Sequence, residues 1–145
     1  MDKLTKEAQQ HGEIFESMTF FKKSLEAFTN GEAPDYIKKL QKFIDEYIVT
    51  HFEFEEKELF PTILESGVPK EKHLIRELQI EHVQALDKVD QFKDFISSYG
   101  CQPERDQVKE IMDQSRGIIE MILMHARKED IELAPLLKKY EINLK

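Results

Sequence analysis

One pattern of eleven residues occurs twice in this chain, and that repetition constrains the fold more than any other feature. The first copy runs from His51 to Pro61 and the second from His125 to Pro135. Counting from each histidine, glutamate stands at the fourth position (Glu55, Glu129) and the seventh (Glu58, Glu132), leucine at the eighth and proline at the tenth. Residues four apart share one face of a helix, a turn from each other. Each copy can therefore direct an imidazole and a carboxylate at one point. A matched pair of such helices is a way to build a two-metal site inside a helical bundle.

The rest of the sequence supplies the bundle. Leu4, Ala8, His11, Phe15, Met18 and Leu25 recur at helical spacing and predict a first helix over about 2–28, closed by Asn30 and Gly31. A second helix is expected from about Asp35 to Glu65, where Ile37, Leu40, Ile44, Tyr47 and Ile48 lead along one stripe to His51 and Glu55. Pro61 should kink or end its regular part. Ser66–Pro69 is a short connection, which favours an antiparallel neighbour. The third helix, about 70–99, carries Ile75, Leu78, His82, Val89, Phe92 and Ile96, and stops at Gly100 and Pro103. The fourth starts near Glu104 and reads Val108, Ile111, Ser115, Ile118, Ile122, His125, Glu129, with a break expected at Pro135. No strand pattern and no linker interrupts this order. The fold class is all-α, an antiparallel up-down-up-down four-helix bundle, with residues 1–145 as one domain.

Composition bounds the function. A net charge of −8 argues against a nucleic-acid partner, which normally needs a basic face. Cys101 is the one cysteine, so neither an internal disulfide nor a thiolate metal site is available. The polar N-terminus lacks the apolar core of a signal peptide, and no apolar run approaches the ~20 residues of a membrane span. A cytoplasmic location without membrane attachment is expected.

Each predicted helix has one histidine on its apolar stripe: His11, His51, His82 and His125. A single such histidine is ordinarily a hydrogen-bonded core residue. Two inward glutamates, Glu55 and Glu129, change that reading, because a buried ionised carboxylate without compensation costs several kcal/mol. No basic residue lies near them on the four stripes. A pair of divalent cations, bridged by the two carboxylates and capped by the four imidazoles, would neutralise both. Imidazole and carboxylate without thiolate suit iron or manganese, with zinc as a further candidate. An oxo or hydroxo bridge would still leave a position open for a diatomic molecule or peroxide.

The series His11, His51-x3-Glu55, His82, His125-x3-Glu129 resembles the hemerythrin-like (HHE cation-binding) domain family over essentially the whole chain. The two His-x3-Glu-x2-Glu-Leu-x-Pro segments and the Glu81–His82 pair carry the resemblance. It implies a bundle around two iron ions in a non-haem di-iron centre, serving O2 carriage, sensing or iron-centre chemistry. In its four-histidine, two-glutamate set the chain is similar to the di-iron proteins implicated in repairing iron–sulfur clusters under nitrosative or oxidative stress. Those proteins carry an additional cysteine-containing N-terminal domain not seen in these residues. Oxygen carriers place a fifth histidine one turn from that on the third helix, where this chain has Leu78 and Leu86. They also place an aspartate five residues after the last histidine, so Asp130 is the alternate to Glu129 as a bridge.

The expected function is small-ligand binding (O2, NO or peroxide) for sensing, stress response or iron handling. A redox enzyme, an iron donor to damaged clusters, or a metal-stabilised regulatory module are the alternatives. His73, Glu58 and Glu132 are expected at the surface, and Glu81 either in solvent or orienting a ligand. Tyr47 is expected in the core or hydrogen-bonded near the metals. Phe15, Ile48, Met121 and Ile122 are expected as apolar walls, and Cys101 as an inert loop thiol.

Overall fold

A computed structural model describes residues 2–27, 33–97 and 105–141. Its described residues form four long helices. Helix α1 spans Lys3–Ala27, and Asp2 caps it by accepting the Thr5 N–H at 2.8 Å. Helix α2 spans 33–66, α3 spans Pro69–Ser97, and α4 spans 105–139. The predicted stops at Asn30, Gly31, Gly100 and Pro103, the start at Glu104, and Cys101 lie outside the described residues.

Ties between helix ends fix the antiparallel order. Lys3 near the start of α1 pairs with Glu58 near the end of α2. Lys93 near the end of α3 pairs with Asp45 in the first half of α2. Glu71 at the start of α3 accepts from Lys139 and Tyr140 at the end of α4. The turn from α2 to α3 is tight because the Gly67 N–H returns to Ile63 O at 2.7 Å. A Cβ at Gly67 would sit 2.5 Å from that oxygen, so only glycine allows this approach. The bundle closes with α1 and α3 each packed on α4.

Pro61 lies within α2, as expected of a helix reaching about Glu65, with the regular part interrupted just ahead of it, whereas the break expected at Pro135 does not occur. Helix α2 continues through Phe60–Ser66 and α4 through Ala134–Lys139. Ahead of each proline the helix widens to one π-turn, Glu55–Leu59 and Glu129–Leu133. The Phe60 N–H donates to Glu55 O and the Ala134 N–H to Glu129 O, five residues back. Proline offers no N–H, and its ring would clash with the carbonyl four residues earlier. The wider turn accommodates both constraints while the helix goes on. A third π-turn, Ile44–Ile48, precedes His51.

Two apolar clusters hold the bundle. One gathers Ile14, Met18, Leu40, Ile48, Val89 and Ile122 with their neighbours, and the other Leu59, Phe60, Ile63, Ile75, Leu78, Leu133 and Leu137. Each fully buried Leu or Ile contributes roughly 1.5–3 kcal/mol. On every helix the chain passes from one cluster to the other through its histidine. A polar layer is thereby enclosed between two apolar ones.

Candidate metal centre

Helical spacing delivers the layer. Helix α1 buries Glu7, His11, Ile14, Met18, Phe21 and Leu25. The α2 face runs Ile44, Ile48, His51, Glu55; α3 gives Leu78, His82, Ala85; and α4 gives Ile118, Ile122, His125, Glu129. The true α1 face lies one residue away from part of the expected stripe: Ala8 is exposed, and Leu4 and Phe15 are half-buried. That shift brings in Glu7, which the sequence reading missed. The signal was present, because stepping back by fours and threes from Leu25 leads to Glu7.

The donor atoms converge. His11 and His51 form one ring pair, centroids 4.9 Å apart, and His82 and His125 another at 4.7 Å. Glu55 lies between them with one oxygen toward each: Oε2 is 3.4 Å from His11 Nε2 and 3.3 Å from His51 Nε2, and Oε1 is 3.1 Å from His82 Nε2. Glu129 Oε1 is 3.3 Å from Nε2 of both His11 and His125, and its Oε2 is 3.9 Å from His82 Nε2. Glu7 Oε1 approaches His11 Nε2 to 2.7 Å and His51 Nε2 to 3.9 Å.

All four Nε2 atoms and both oxygens of Glu7, Glu55 and Glu129 are buried without a partner in hydrogen-bonding geometry. Buried polar atoms are rarely left so. Crowding of this kind, without aligned hydrogen bonds, is the arrangement of ligands directed at a cation. The donors fall into two overlapping sets, Glu7, His11, His51, Glu55, Glu129 and Glu55, His82, His125, Glu129, each within 4.8 Å. The two glutamates of the repeated segments belong to both sets. The cluster fits a metal site.

The outer nitrogens fix the rings. His11 Nδ1 lies 2.7 Å from Asp130, His51 Nδ1 2.6 Å from Gln10 Oε1, His82 Nδ1 2.9 Å from Glu56, and His125 Nδ1 2.9 Å from Glu81. A carboxylate or amide oxygen only accepts, so each Nδ1 carries the hydrogen, and in the neutral ring Nε2 turns a lone pair inward. Such outer partners orient metal-ligating histidines and raise their basicity. Packing adds to this: Phe52 stacks on His82 at 4.0 Å and 13°, and Phe60 lies nearly parallel to the same ring at 5.5 Å.

Charge is strained in this layer. Burial, then repulsion from Glu129, pushes the Glu55 carboxyl well above the carboxylate range. Burial would also raise Glu129, but the His11 and His125 rings, each with Nε2 3.3 Å from its Oε1, outweigh it and hold Glu129 well below that range. Burial lowers His51 to about 4 and His82 to about 3. It acts the same way on His11, yet Glu129 and Glu7 reverse the effect and raise that ring to about 11. Protons thus gather where positive charge is wanted, and divalent cations could replace them.

His11, His51, Glu55, His82, His125 and Glu129 meet in the layer. Asp130, the alternate bridge, reaches the outer edge of His11 instead. Glu81 orients His125 and also binds Lys128. Tyr47 bonds Glu13, outside the cluster. Glu58 and His73 are surface residues paired with Lys3 and Glu77, and Glu132 is exposed. Ile48 and Ile122 are buried in the adjoining core, with Met121 packed against it. Gln10 and Glu56 left no trace in the sequence, since each only neighbours a patterned residue. Leu78 is buried in the second apolar cluster and Leu86 packs against the first, so neither offers a fifth histidine's position to a ligand.

A family model described as the hemerythrin HHE cation-binding domain matches residues 3–137. No curated protein and no solved structure matches the chain.

Proposed function

The chain belongs to the hemerythrin HHE cation-binding family, and from that premise we propose that it holds two iron ions and binds a small ligand at them. The ligand class is O2, NO or peroxide, in sensing, stress response or iron handling. The observation that carries this reading is the double donor set, in which two carboxylates are shared between two imidazole pairs. The imidazole–carboxylate set suits iron, and a redox-active ion is the one that would bind O2, NO or peroxide; manganese and zinc are the lesser candidates. Bound iron would supply a redox couple and a coordination position for the small ligand.

The chain's own residues would do the rest. Gln10, Glu56, Glu81 and Asp130 hold the ring tautomers, so that the four lone pairs stay aimed inward. Phe52 and Phe60 shield His82 from water. A groove of about 370 Å³ beside His125, lined by Phe52, Gln84, Met121, Met124 and Lys128 among others, offers an approach from the surface. Its largely apolar lining suits a diatomic molecule better than a charged metabolite.

The test is metal content after purification without air, followed by absorption spectra as O2 or NO is added. About two irons per chain with a reversible oxygenated spectrum would support ligand carriage or sensing. Two irons that oxidise irreversibly would move the reading to redox or repair chemistry. No iron after reconstitution would sink the proposal. No helix among the described residues is long and apolar enough to cross a membrane, and a cytoplasmic setting with no nucleic-acid or membrane partner remains part of this proposal.

A further inference from the structure

We propose that Glu7 is a fifth protein ligand to one of the two cation positions, which makes the centre unequal by construction. The position of His11 and His51 is closed by five side chains and would load first and release last. The position of His82 and His125 has four and would be the exchangeable one. This rests on the two-cation reading above and adds a ligand and an order of loading to it.

Three observations carry the assignment. Glu7 is 6% exposed and neither carboxylate oxygen has a hydrogen-bond partner, although Oε1 lies 2.7 Å from His11 Nε2. A carboxylate in that state is costly unless a charge opposes it. The lysines nearest in sequence do not oppose it: Lys3 pairs with Glu58, and Lys6 lies over the Phe54 ring. A residue serving only to fill the α1 face would be apolar, as Ile14, Met18, Phe21 and Leu25 are further along that face.

The geometry is one-sided. Glu7 joins the donor set of His11 and His51 and is absent from that of His82 and His125. Its spacing from His11 is that of Glu55 from His51, with the carboxylate one turn before the imidazole instead of one turn after. Nothing equivalent serves the second pair. The positions one turn from His82 on α3 are Leu78 and Leu86, and the position one turn before His125 is Met121. An unshared carboxylate adds negative charge and a hard oxygen donor to one position only. Tighter binding of a divalent cation there follows directly.

The experiment uses the full chain stripped of metal and titrated with Co2+ alone, comparing wild type with Glu7→Gln and Glu7→Ala. Wild type should bind two ions in two resolved steps. Both variants should lose the tight step, with affinity at that position falling by more than the roughly 10–100-fold that a lost outer partner costs. After desalting, wild type should retain about one ion per chain and both variants clearly less. The metal-free variants should keep the helical circular dichroism of wild type, which separates a lost ligand from a lost fold. Two ions bound with wild-type affinities and an unchanged cobalt spectrum in both variants would overturn the assignment. Ion loss equal at both positions, together with a reduced helical signal in the metal-free variants, would also overturn it, leaving Glu7 a packing role. Failure of wild type to bind any ion would instead defeat the cation reading itself, and the Glu7 assignment with it.

Discussion

Asp130 Oδ1 lies 2.7 Å from Nδ1 of His11, on the edge of the ring turned away from the donor cluster. Its chain neighbour Glu129 is buried with both oxygens in that cluster. Successive helical residues point about 100° apart, so two adjacent acids divide between an inner and an outer role. Asp130→Ala is therefore expected to weaken metal binding about 10–100-fold, with two ions still bound at saturation. Glu129→Ala should bring stoichiometry below two. Metal analysis across a titration checks both, and the opposite pattern would make Asp130 the bridge.

Glu55 carries a cost to the fold when no cation is present. It is fully buried and its carboxyl is pushed far up by burial and by Glu129. Protonated when folded and ionised when unfolded, it costs the fold about 1.4 kcal/mol for each pH unit above the ordinary carboxyl range, a cost an amide does not carry. Glu55→Gln should accordingly raise the melting temperature of the metal-free protein while reducing the metal it retains. A metal-free variant less stable than wild type would show that Glu55 is already compensated without a cation.

The stability of the metal-free protein should peak near pH 6.5. Burial lowers His51 and His82 to about 4 and about 3, so on the acid side the unfolded chain takes up two protons that the folded one refuses. Stability is then lost as pH falls below 6.5, by about 1.4 kcal/mol per pH unit for each group. Glu55, protonated when folded, offsets one of the two. On the alkaline side His11, raised to about 11 by Glu129 and Glu7 against burial, keeps a proton that the unfolded chain releases. Stability falls there as pH rises. Cations replace that proton and bind more tightly at higher pH, so the loaded protein should lose the alkaline decline. Urea unfolding at pH 5, 6.5 and 8.5, with and without metal, gives the comparison.

Chelation should lower the melting temperature yet leave most of the helix content. The two apolar clusters flank the polar layer and do not depend on it. A site occupied at about a thousand times its dissociation constant adds roughly 4 kcal/mol, and that stabilisation would be lost. Circular dichroism before and after chelation decides; collapse of the helical signal would make the metal a folding requirement.

His73→Ala should leave metal content unchanged. The ring is exposed and pairs with Glu77 on its own helix. A clear loss of metal would require a different set of ligands on α3.

The sequence alone determined the four helices, their antiparallel order and six of the residues that meet in the polar layer, four from the repeated pattern and His11 and His82 from the helix stripes. Apolar periodicity fixes which face of a helix is buried, and the short turn at Gly67 fixes the direction of its neighbour. His51-x3-Glu55 and His125-x3-Glu129 were legible because residues four apart share a face whatever the helices pack against. The family resemblance was legible for the same reason. The rest depended on how the helices meet. Pro61 read as a kink or the end of the regular part and Pro135 as a break, but a widened turn ahead of each carries the helix onward. Asp130, Glu81, Glu56 and Gln10 reach rings on other helices, and an outer partner of that kind has no fixed spacing in the chain. Glu7 was hidden by a one-residue error in the α1 face, since Leu4, Ala8 and Phe15 make an equally apolar stripe beside the true one. Only contact with α2 and α4 selects between two such stripes, because burial is a property of the surface that covers a residue as well as of the residue itself.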